Sequence, residues 1–141
     1  MGKKINYTCS WVAPLFIRLA VGLIFLSEGI QKFLFPAELG SGRFLKIGIP
    51  SPEFFGPFVG TFEIIGGCLV LLGLYTRIAS GWLFVIISVA IITTKLVALP
   101  DKGFWVVAHD ARTDFSMLLN TLFLIVTGAG KVSIDHKLQD S

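Results

Sequence analysis

Four runs of apolar residues divide the chain, and segments rich in polar residues, proline and glycine separate them. The first three runs are Val12–Leu34, Gly56–Tyr75 and Ile78–Leu99, and each is near the roughly 20 residues that a helix needs to cross a hydrocarbon core. The fourth run, Phe115–Gly128, is shorter, and we place its span at 112–129. None of these runs has the polar outer face of a helix in a soluble bundle. The pattern predicts an all-α protein, an integral membrane four-helix bundle, with residues 1–141 as one transmembrane domain.

Proline, glycine and serine mark the ends of the predicted helices. Ser10 is placed to cap the first span, and Pro36 ends it. The run Ser51–Glu53 has the serine, proline and acidic residue of a helix start, so the second helix begins near it, and Gly73 closes that helix. Pro100 is expected to end the third span.

Composition agrees with a membrane protein and excludes several soluble classes. Hydrophobic residues make up 54% of the chain and charged residues 15%, whereas globular domains have about 45–50% and about 25%. The net charge is only +3, and no basic run extends beyond Lys3–Lys4, which excludes a nucleic-acid binder. Cys9 and Cys68 are far apart without a C-x-x-C motif, so we interpret them as free thiols. No histidine pair or cysteine set has the spacing of a metal site.

Four spans would put both chain termini on one side of the membrane. That side carries five basic residues and the other side four, a weak bias that favours cytoplasmic termini. The first run is too long for the apolar region of a signal peptide and contains Arg18, so it is interpreted as an uncleaved span. The opposite side has two longer loops, and loops of that size often cover a site.

Each span has one stripe of small and ionisable residues. At 100° per residue, the first stripe contains Arg18, Gly22, Phe25, Glu28, Gly29 and Lys32, and the second contains Gly56, Gly60, Glu63 and Gly67 with Gly66 beside it. The third contains Arg77, Gly81, Phe84, Ser88 and Lys95, and the fourth contains Asp114, Leu118, Thr121, Ile125 and Gly128. Small residues let membrane helices approach closely, and polar residues bond across their interfaces. We therefore expect the stripes to face inward, with Gly22, Gly29, Gly60, Gly66 and Gly67 as structural glycines.

Five ionisable residues fall at a similar depth, in the half of the membrane away from the termini. They are Glu28, Lys32, Glu63, Lys95 and Asp114, whereas Arg18 lies nearer the terminal side. Charges inside a membrane are costly and usually mark function. We predict a polar pocket open toward the outer half, with the third acid neutralised by protonation or by a loop residue such as Arg112. The alternative is that these charges only lock the register of the helices.

Several other residues permit two interpretations. His109 is either a ligand or proton donor of the pocket or an ordinary loop histidine. Asn120 points away from its stripe and is expected to form a helix–helix hydrogen bond. Trp11, Trp82 and Trp105 are interpreted as anchors at the membrane interface.

Three segments together resemble the DoxX family of small four-span membrane proteins. They are RLAVGLIFLSEGIQKF, GTFEIIGGCLVLLGLYTRIAS and GAGKVSID, and the resemblance covers most of the chain. It implies a protein of the bacterial inner membrane linked to redox chemistry, because relatives are associated with quinone-coupled thiosulfate oxidation, detoxifying oxidoreductase complexes and methylamine utilisation. Distant relatives are assembly factors. The chain departs from a thiol-redox role because it has no paired cysteines.

Two hypotheses follow, and a third has less support. In the first, the chain is a membrane subunit of a redox system that binds a quinone in the pocket, flanked by Phe25, Phe62 and Phe84, and works with a redox partner protein. In the second, it is a non-enzymatic scaffold or assembly factor. Transport of a small solute is the third, and it would need a homo-oligomer because four helices form a small bundle.

Overall fold

The computed structural model describes residues 12–141, which form eight α-helices and one π-helical segment. The helices are α1 (Ala13–Leu34), α2 (Ser41–Lys46), α3 (Pro52–Leu72), α4 (Thr76–Ala90), α5 (Val97–Lys102), α6 (Phe104–Asp110), α7 (Arg112–Thr127) and α8 (Ile134–Gln139). The π segment, Ile91–Leu96, joins α4 to α5. The prediction of an all-α fold is confirmed for the described residues. The predictions for Lys3–Lys4, Cys9, Ser10 and Trp11 lie outside them.

Within residues 12–141, three helices are long and apolar enough to cross a membrane. They are α1, α3 and the continuous helix Thr76–Lys102, which combines α4, the π segment and α5. Helix α7 has 16 residues, and at 1.5 Å per residue it spans about 24 Å, less than the roughly 30 Å of a hydrocarbon core. The predicted count of four full spans is therefore not met by the described helices. Exposed apolar side chains such as Phe16, Ile78 and Val126 cover the outer faces and contact lipid.

One predicted helix end is wrong, and the connecting segments contain helices that were not predicted. Pro100 lies inside α5, and the helix ends at Gly103, whose φ of 82° requires the left-handed region. Helix α3 begins at Pro52, as the run Ser51–Glu53 predicted, because a proline fits the first helical turn. It ends where predicted, at Gly73 with φ of 68°. Helices α2 and α6 form within the two connections that were predicted as loops.

Glycines bring α1 and α3 into direct backbone contact. A Cβ on Gly29 would lie 2.6 Å from the carbonyl oxygen of Gly60, and a Cβ on Gly67 would lie 2.8 Å from that of Gly22. Both approaches are closer than a side chain allows. Helix α3 packs in turn against α4, and α4 packs against α7. The core between them consists of Val21, Phe25, Val70, Ala79, Leu83, Ile87, Met117 and Leu124.

The residues of the predicted inward stripes are buried on α1 and α3, apart from Glu28 and Lys32, but those of the α4 stripe are not. Gly22, Gly29, Gly60, Glu63 and Gly67 are all buried. On α4 the buried residues are instead Thr76, Ala79, Ser80, Leu83 and Ile87, whereas Arg77 is exposed. The predicted residues Arg77, Gly81, Phe84 and Ser88 each follow a buried residue by one position, so the packed face of α4 is rotated by about 100° from the predicted one.

Candidate functional site

A cavity of about 720 Å³ lies between α1, α2, α3, the helix Thr76–Lys102 and α7. We call it the charged cavity, because its lining includes five ionisable residues that were predicted to share one depth. They are Glu28, Lys32, Glu63, Lys95 and Asp114. The structure therefore brings together side chains that are distant in the sequence, and α2 covers one wall.

The innermost charges form an ion pair between α1 and α3. Lys32 Nζ lies 2.7 Å from Glu63 Oε2, and the two side chains are only 11% and 6% exposed. Glu28 is one turn before Lys32 on α1, with its carboxylate 4.0 Å from the same ammonium, and its side chain is 52% exposed. Lys32 thus stands between a buried carboxylate and a half-exposed one. An unpaired charge at the position of Glu63 would cost several kcal/mol, by the general penalty of roughly 3–5 kcal/mol for breaking a buried pair.

A second ion pair joins the π segment to α7. Lys95 Nζ lies 3.4 Å from Asp114 Oδ2, and both side chains are partly exposed. The preceding threonines bond back to the helix, since Thr93 Oγ1 donates to the carbonyl of Val89 at 2.8 Å and Thr94 Oγ1 to that of Ala90 at 2.6 Å. Both threonines line the cavity. Single-turn π segments occur frequently at functional sites, and this one carries three residues of the cavity wall.

The sequence interpretation missed part of the cavity wall. Arg43 and Phe44 come from α2, and Phe55 and Phe58 come from the first turns of α3. The length of the connection between α1 and α3 indicated that this segment could cover a site. It did not show which of its residues would line the cavity. Of the three phenylalanines predicted to flank a ligand ring, Phe25 lines the cavity. Phe62 and Phe84 do not belong to its lining, and Phe62 packs instead against Trp82 with ring centroids 5.7 Å apart.

The charges around the cavity nearly balance. Its lining contains four carboxylates and three basic groups, the fourth acid being Asp110 and the third base Arg43. Asp110 also lies 3.9 Å from Lys102. Within residues 12–141, no carboxylate comes within ion-pair distance of Arg43. The α2 wall of the cavity therefore carries Arg43 without a carboxylate partner among the described residues, whereas Lys32 and Lys95 form ion pairs.

Two residues that the sequence linked to the pocket, and one predicted helix contact, differ from their predictions. His109 is exposed on α6 and outside the cavity lining, and its carbonyl accepts a hydrogen bond from Arg112 Nη1 at 2.6 Å. Arg112 thus does not neutralise the third acid, and Glu28 shares Lys32 with Glu63. Asn120 donates to Ser116 Oγ on its own helix, so the expected helix–helix bond is wrong. No group of three or more potential metal ligands occurs in residues 12–141.

Arg18 is buried at the opposite end of the bundle. Its guanidinium donates to four backbone carbonyls, those of Val70, Leu71, Ala129 and Val132. These oxygens belong to the end of α3 and to the segment after α7, so one side chain ties three parts of the chain together. Because all four acceptors are backbone carbonyls that join separate parts of the chain, this contact is structural.

The glycine and aspartate motifs near Arg18 are also structural. A Cβ on Gly73 would lie 2.6 Å from Arg18 Nη2. Asp135 accepts hydrogen bonds from the backbone N–H groups of Tyr75 and Thr76, at 2.7 and 3.0 Å, and so caps the start of α4. The closing GAGKVSID segment therefore holds the helix ends together rather than lining the charged cavity.

Gly66 and Trp82 fix the contact between α3 and α4. Trp82 Nε1 donates to the carbonyl of Phe62 at 3.2 Å, and a Cβ on Gly66 would lie 2.5 Å from that nitrogen. Trp82 therefore packs between helices. Trp105 is highly exposed on α6, as a residue facing lipid or the interface would be.

The chain is similar to several known proteins. The family model DoxX matches residues 13–96. An uncharacterized membrane protein of Mycobacterium tuberculosis is 53% identical over 128 residues, which cover 86% of this chain and 78% of that protein. A Bacillus subtilis protein named "Putative oxidoreductase CatD" is 36% identical over 126 residues, 88% of this chain and 85% of that protein. An uncharacterized protein of Haemophilus influenzae is 31% identical over 123 residues, covering 86% and 87%. No solved structure matches the chain.

Proposed function

The chain belongs to the DoxX family, and on that premise we propose that it is a membrane subunit or accessory protein of a redox system that binds a quinone or a similar small ligand in the charged cavity. The observation that carries this proposal is the meeting of Glu28, Lys32, Glu63, Lys95 and Asp114 around one cavity. Ionisable residues inside membrane segments are expensive and mark ligand or proton paths by default.

The size and lining of the cavity support a small-molecule ligand. Its volume of about 720 Å³ falls within the roughly 300–1,000 Å³ that is usual for ligand pockets. Apolar side chains predominate in the wall, and the few polar groups converge from α1, α3, the π segment and α7. The apolar wall would bury a ligand, and the polar groups would fix its orientation.

The residues present fit the head of a quinone, which is a planar ring with two oxygens. Lys95 can donate a hydrogen bond to one oxygen, and the aromatic rings of Phe25, Phe55 and Phe58 can pack against the ring. A bound quinone supplies the capacity to take up two electrons with two protons. Glu28 Oε2, which is half exposed and 4.0 Å from Lys32 Nζ, is a position where a proton can be held near the outside of the cavity.

The redox assignment has support from one relative. The Bacillus subtilis protein carries the word oxidoreductase in its name, and 88% of this chain aligns with it. We extend the proposal to a redox partner protein that supplies electrons, to residues 1–141 as a single domain, and to a location in the cell inner membrane with both termini cytoplasmic.

A non-enzymatic scaffold is the second candidate function. It is favoured by one observation, which is that both ion pairs join neighbouring helices and so hold their register. Lys32–Glu63 connects α1 to α3, and Lys95–Asp114 connects the π segment to α7. In that case the cavity would hold no ligand, and the covering helix α2 would contact a partner protein.

Mass spectrometry of the organic extract from purified, detergent-solubilised protein separates the two functions. Wild-type protein is expected to retain a quinone or a related lipophilic molecule, and Glu63→Gln is expected to lose it. Glu53→Gln is the matched control, because Glu53 lies in the first turn of the same helix, is exposed and does not line the cavity.

The outcomes are distinct. An extract without any small molecule, together with a partner protein that co-purifies equally with wild type and Glu63→Gln, would establish the scaffold. Equal retention of the small molecule by Glu63→Gln and Glu53→Gln would remove the charged cavity as its binding site.

A further inference from the structure

A second cavity, of about 660 Å³, lies at the other end of the bundle, where α4 begins and α7 ends. We call it the terminal cavity. Its walls are residues 75–78 at the start of α4, residues 127–131 after α7, and Ser133, Asp135, His136 and Gln139. It shares no lining residue with the charged cavity.

The terminal cavity has an excess of positive charge. Among the described residues, its lining includes the basic groups of Arg77 and Lys131 and one carboxylate, Asp135, which accepts hydrogen bonds from the backbone N–H groups of Tyr75 and Thr76. Arg77 Nη2 donates only a long hydrogen bond of 3.3 Å, to the carbonyl of Val126. Across residues 12–141, no carboxylate approaches Arg77 within ion-pair distance. Its guanidinium therefore keeps donors that can bind an anion.

The backbone makes room for this guanidinium. Gly128 has φ of 78°, and a Cβ there would lie 3.3 Å from Arg77 Nε. Because Gly128 has no side chain, the guanidinium of Arg77 can lie across the end of α7.

A buried hydroxyl at the same cavity has no partner. Thr76 is fully buried and lines the cavity, and its Oγ1 makes no hydrogen bond within the described structure. A buried hydroxyl left unpaired costs roughly 1–3 kcal/mol. If the Thr76 side chain rotates toward the terminal cavity, a ligand oxygen there would remove that cost.

The surroundings of the terminal cavity match the boundary between lipid tails and headgroups. Ile78 and Val126 are exposed apolar residues directly beside the cavity wall, on the membrane-facing side of helices α4 and α7. The cationic Arg77 directly precedes Ile78 at the start of α4, and Lys131 lies five residues after Val126, beyond the end of α7. Basic pockets between membrane helices at this level bind phosphate headgroups.

We propose that the terminal cavity is a binding site for a phosphate group, supplied by an anionic phospholipid whose acyl chains lie along Ile78 and Val126. The planar guanidinium of Arg77 pairs with two phosphate oxygens, a geometry that lysine does not reproduce. The hydroxyl of Thr76 bonds a further oxygen. The site is independent of the ligand in the charged cavity.

Native mass spectrometry of the full-length protein in detergent tests this site. Phosphatidylglycerol, phosphatidylcholine and inorganic phosphate are added separately, and the retained molecules are counted. The wild type is expected to retain phosphatidylglycerol in preference to phosphatidylcholine, and Arg77→Gln to weaken that retention about tenfold, as the loss of one charge-assisted hydrogen bond predicts. Lys137→Gln is the matched control, because it removes the same charge from the same end of the chain without altering the cavity wall.

Two more variants keep the test decisive if Arg77→Gln does not fold. Arg77→Lys retains the charge but loses the planar fork, and Thr76→Val removes only the unpaired hydroxyl, so both are expected to weaken retention several-fold. Equal retention by these variants and the wild type would overturn the site, as would an equal loss in Lys137→Gln. If inorganic phosphate binds in an Arg77-dependent manner and displaces the lipid, the phosphate site stands and the lipid source is wrong.

Discussion

Lys32 on α1 and Glu63 on α3 form a buried ion pair with 2.7 Å between Nζ and Oε2. The pair exists because the two helices meet through glycines. A Cβ on Gly60 would lie 3.3 Å from Lys32 Cβ, and a Cβ on Gly29 would lie 2.6 Å from the Gly60 carbonyl oxygen. The glycine contact and the ion pair are thus parts of one interface, which forms the inner wall of the charged cavity.

Removing one partner of this pair should strongly destabilise the protein. Lys32→Met leaves the buried carboxylate of Glu63 without its cation, and we expect the free energy of unfolding to fall by about 3–5 kcal/mol. Unfolding in mixed detergent micelles, followed by circular dichroism, measures the change.

Two further variants complete that experiment. The double variant Lys32→Met/Glu63→Leu should recover most of the loss, because it leaves no unpaired charge. Glu53→Gln should change stability by less than about 0.5 kcal/mol, as exposed substitutions do. A double variant that is no more stable than Lys32→Met would show that the ion pair is not the source of the cost.

The second ion pair should matter less for stability than the first. Lys95 and Asp114 are 3.4 Å apart, and their side chains are 20% and 29% exposed. Partial solvation weakens such pairs, so Lys95→Ala should cost about 1 kcal/mol or less. In the same unfolding assay, a loss as large as that of Lys32→Met would contradict the difference in burial.

The sequence predicted the assembly of the charged cavity better than its details. Glu28, Lys32 and Glu63 were placed correctly because α1 and α3 are regular helices, for which 100° per residue holds. The α4 stripe was wrong because the sequence selected Arg77, Gly81, Phe84 and Ser88, whereas packing against α3 and α7 buries the residue before each of them. The π segment Ile91–Leu96 was also not predicted, although it contains Thr93 and Thr94, whose hydroxyls bond back to the helix.

Long-range contacts account for the remaining errors. Arg43 and Phe44 reach the cavity because α2 packs on α3. The sequence of α2 does not show where that helix docks. The role of Arg18 also depends on the backbone of Ala129 and Val132, more than 110 residues away. No periodicity within one helix predicts such partners.

Arg18 should be irreplaceable by lysine. Its guanidinium reaches the ends of α3 and the segment after α7 at once, through three different nitrogens. Lysine has one nitrogen and no planar fork, so several of these carbonyls would lose their partner. We expect Arg18→Lys to lower the free energy of unfolding by about 2–4 kcal/mol, the loss of two or more charge-assisted hydrogen bonds.

Hydrogen exchange distinguishes this local role from a general loss of stability. In Arg18→Lys, amides of residues 129–135 should exchange faster, whereas those around Glu63 should change little. Lys46→Gln is the control, since Lys46 is exposed on α2 and makes no ion pair within residues 12–141. Unchanged exchange at residues 129–135 would refute the tethering role.

A pair of glycine substitutions separates close helix packing from helix propensity. Gly29→Ala places a Cβ within 2.6 Å of the Gly60 carbonyl oxygen, whereas a Cβ at Gly81 on α4 meets no atom within 4 Å. Alanine is the better helix former by roughly 0.5–1 kcal/mol, so Gly81→Ala should raise the melting temperature or leave it unchanged. Gly29→Ala gains the same propensity but forces α1 and α3 apart, which also lengthens the Lys32–Glu63 contact. It should therefore lower the melting temperature and the retention of any ligand of the charged cavity together. If both variants behave alike in thermal unfolding and ligand retention, the close approach of α1 and α3 does not support the cavity wall.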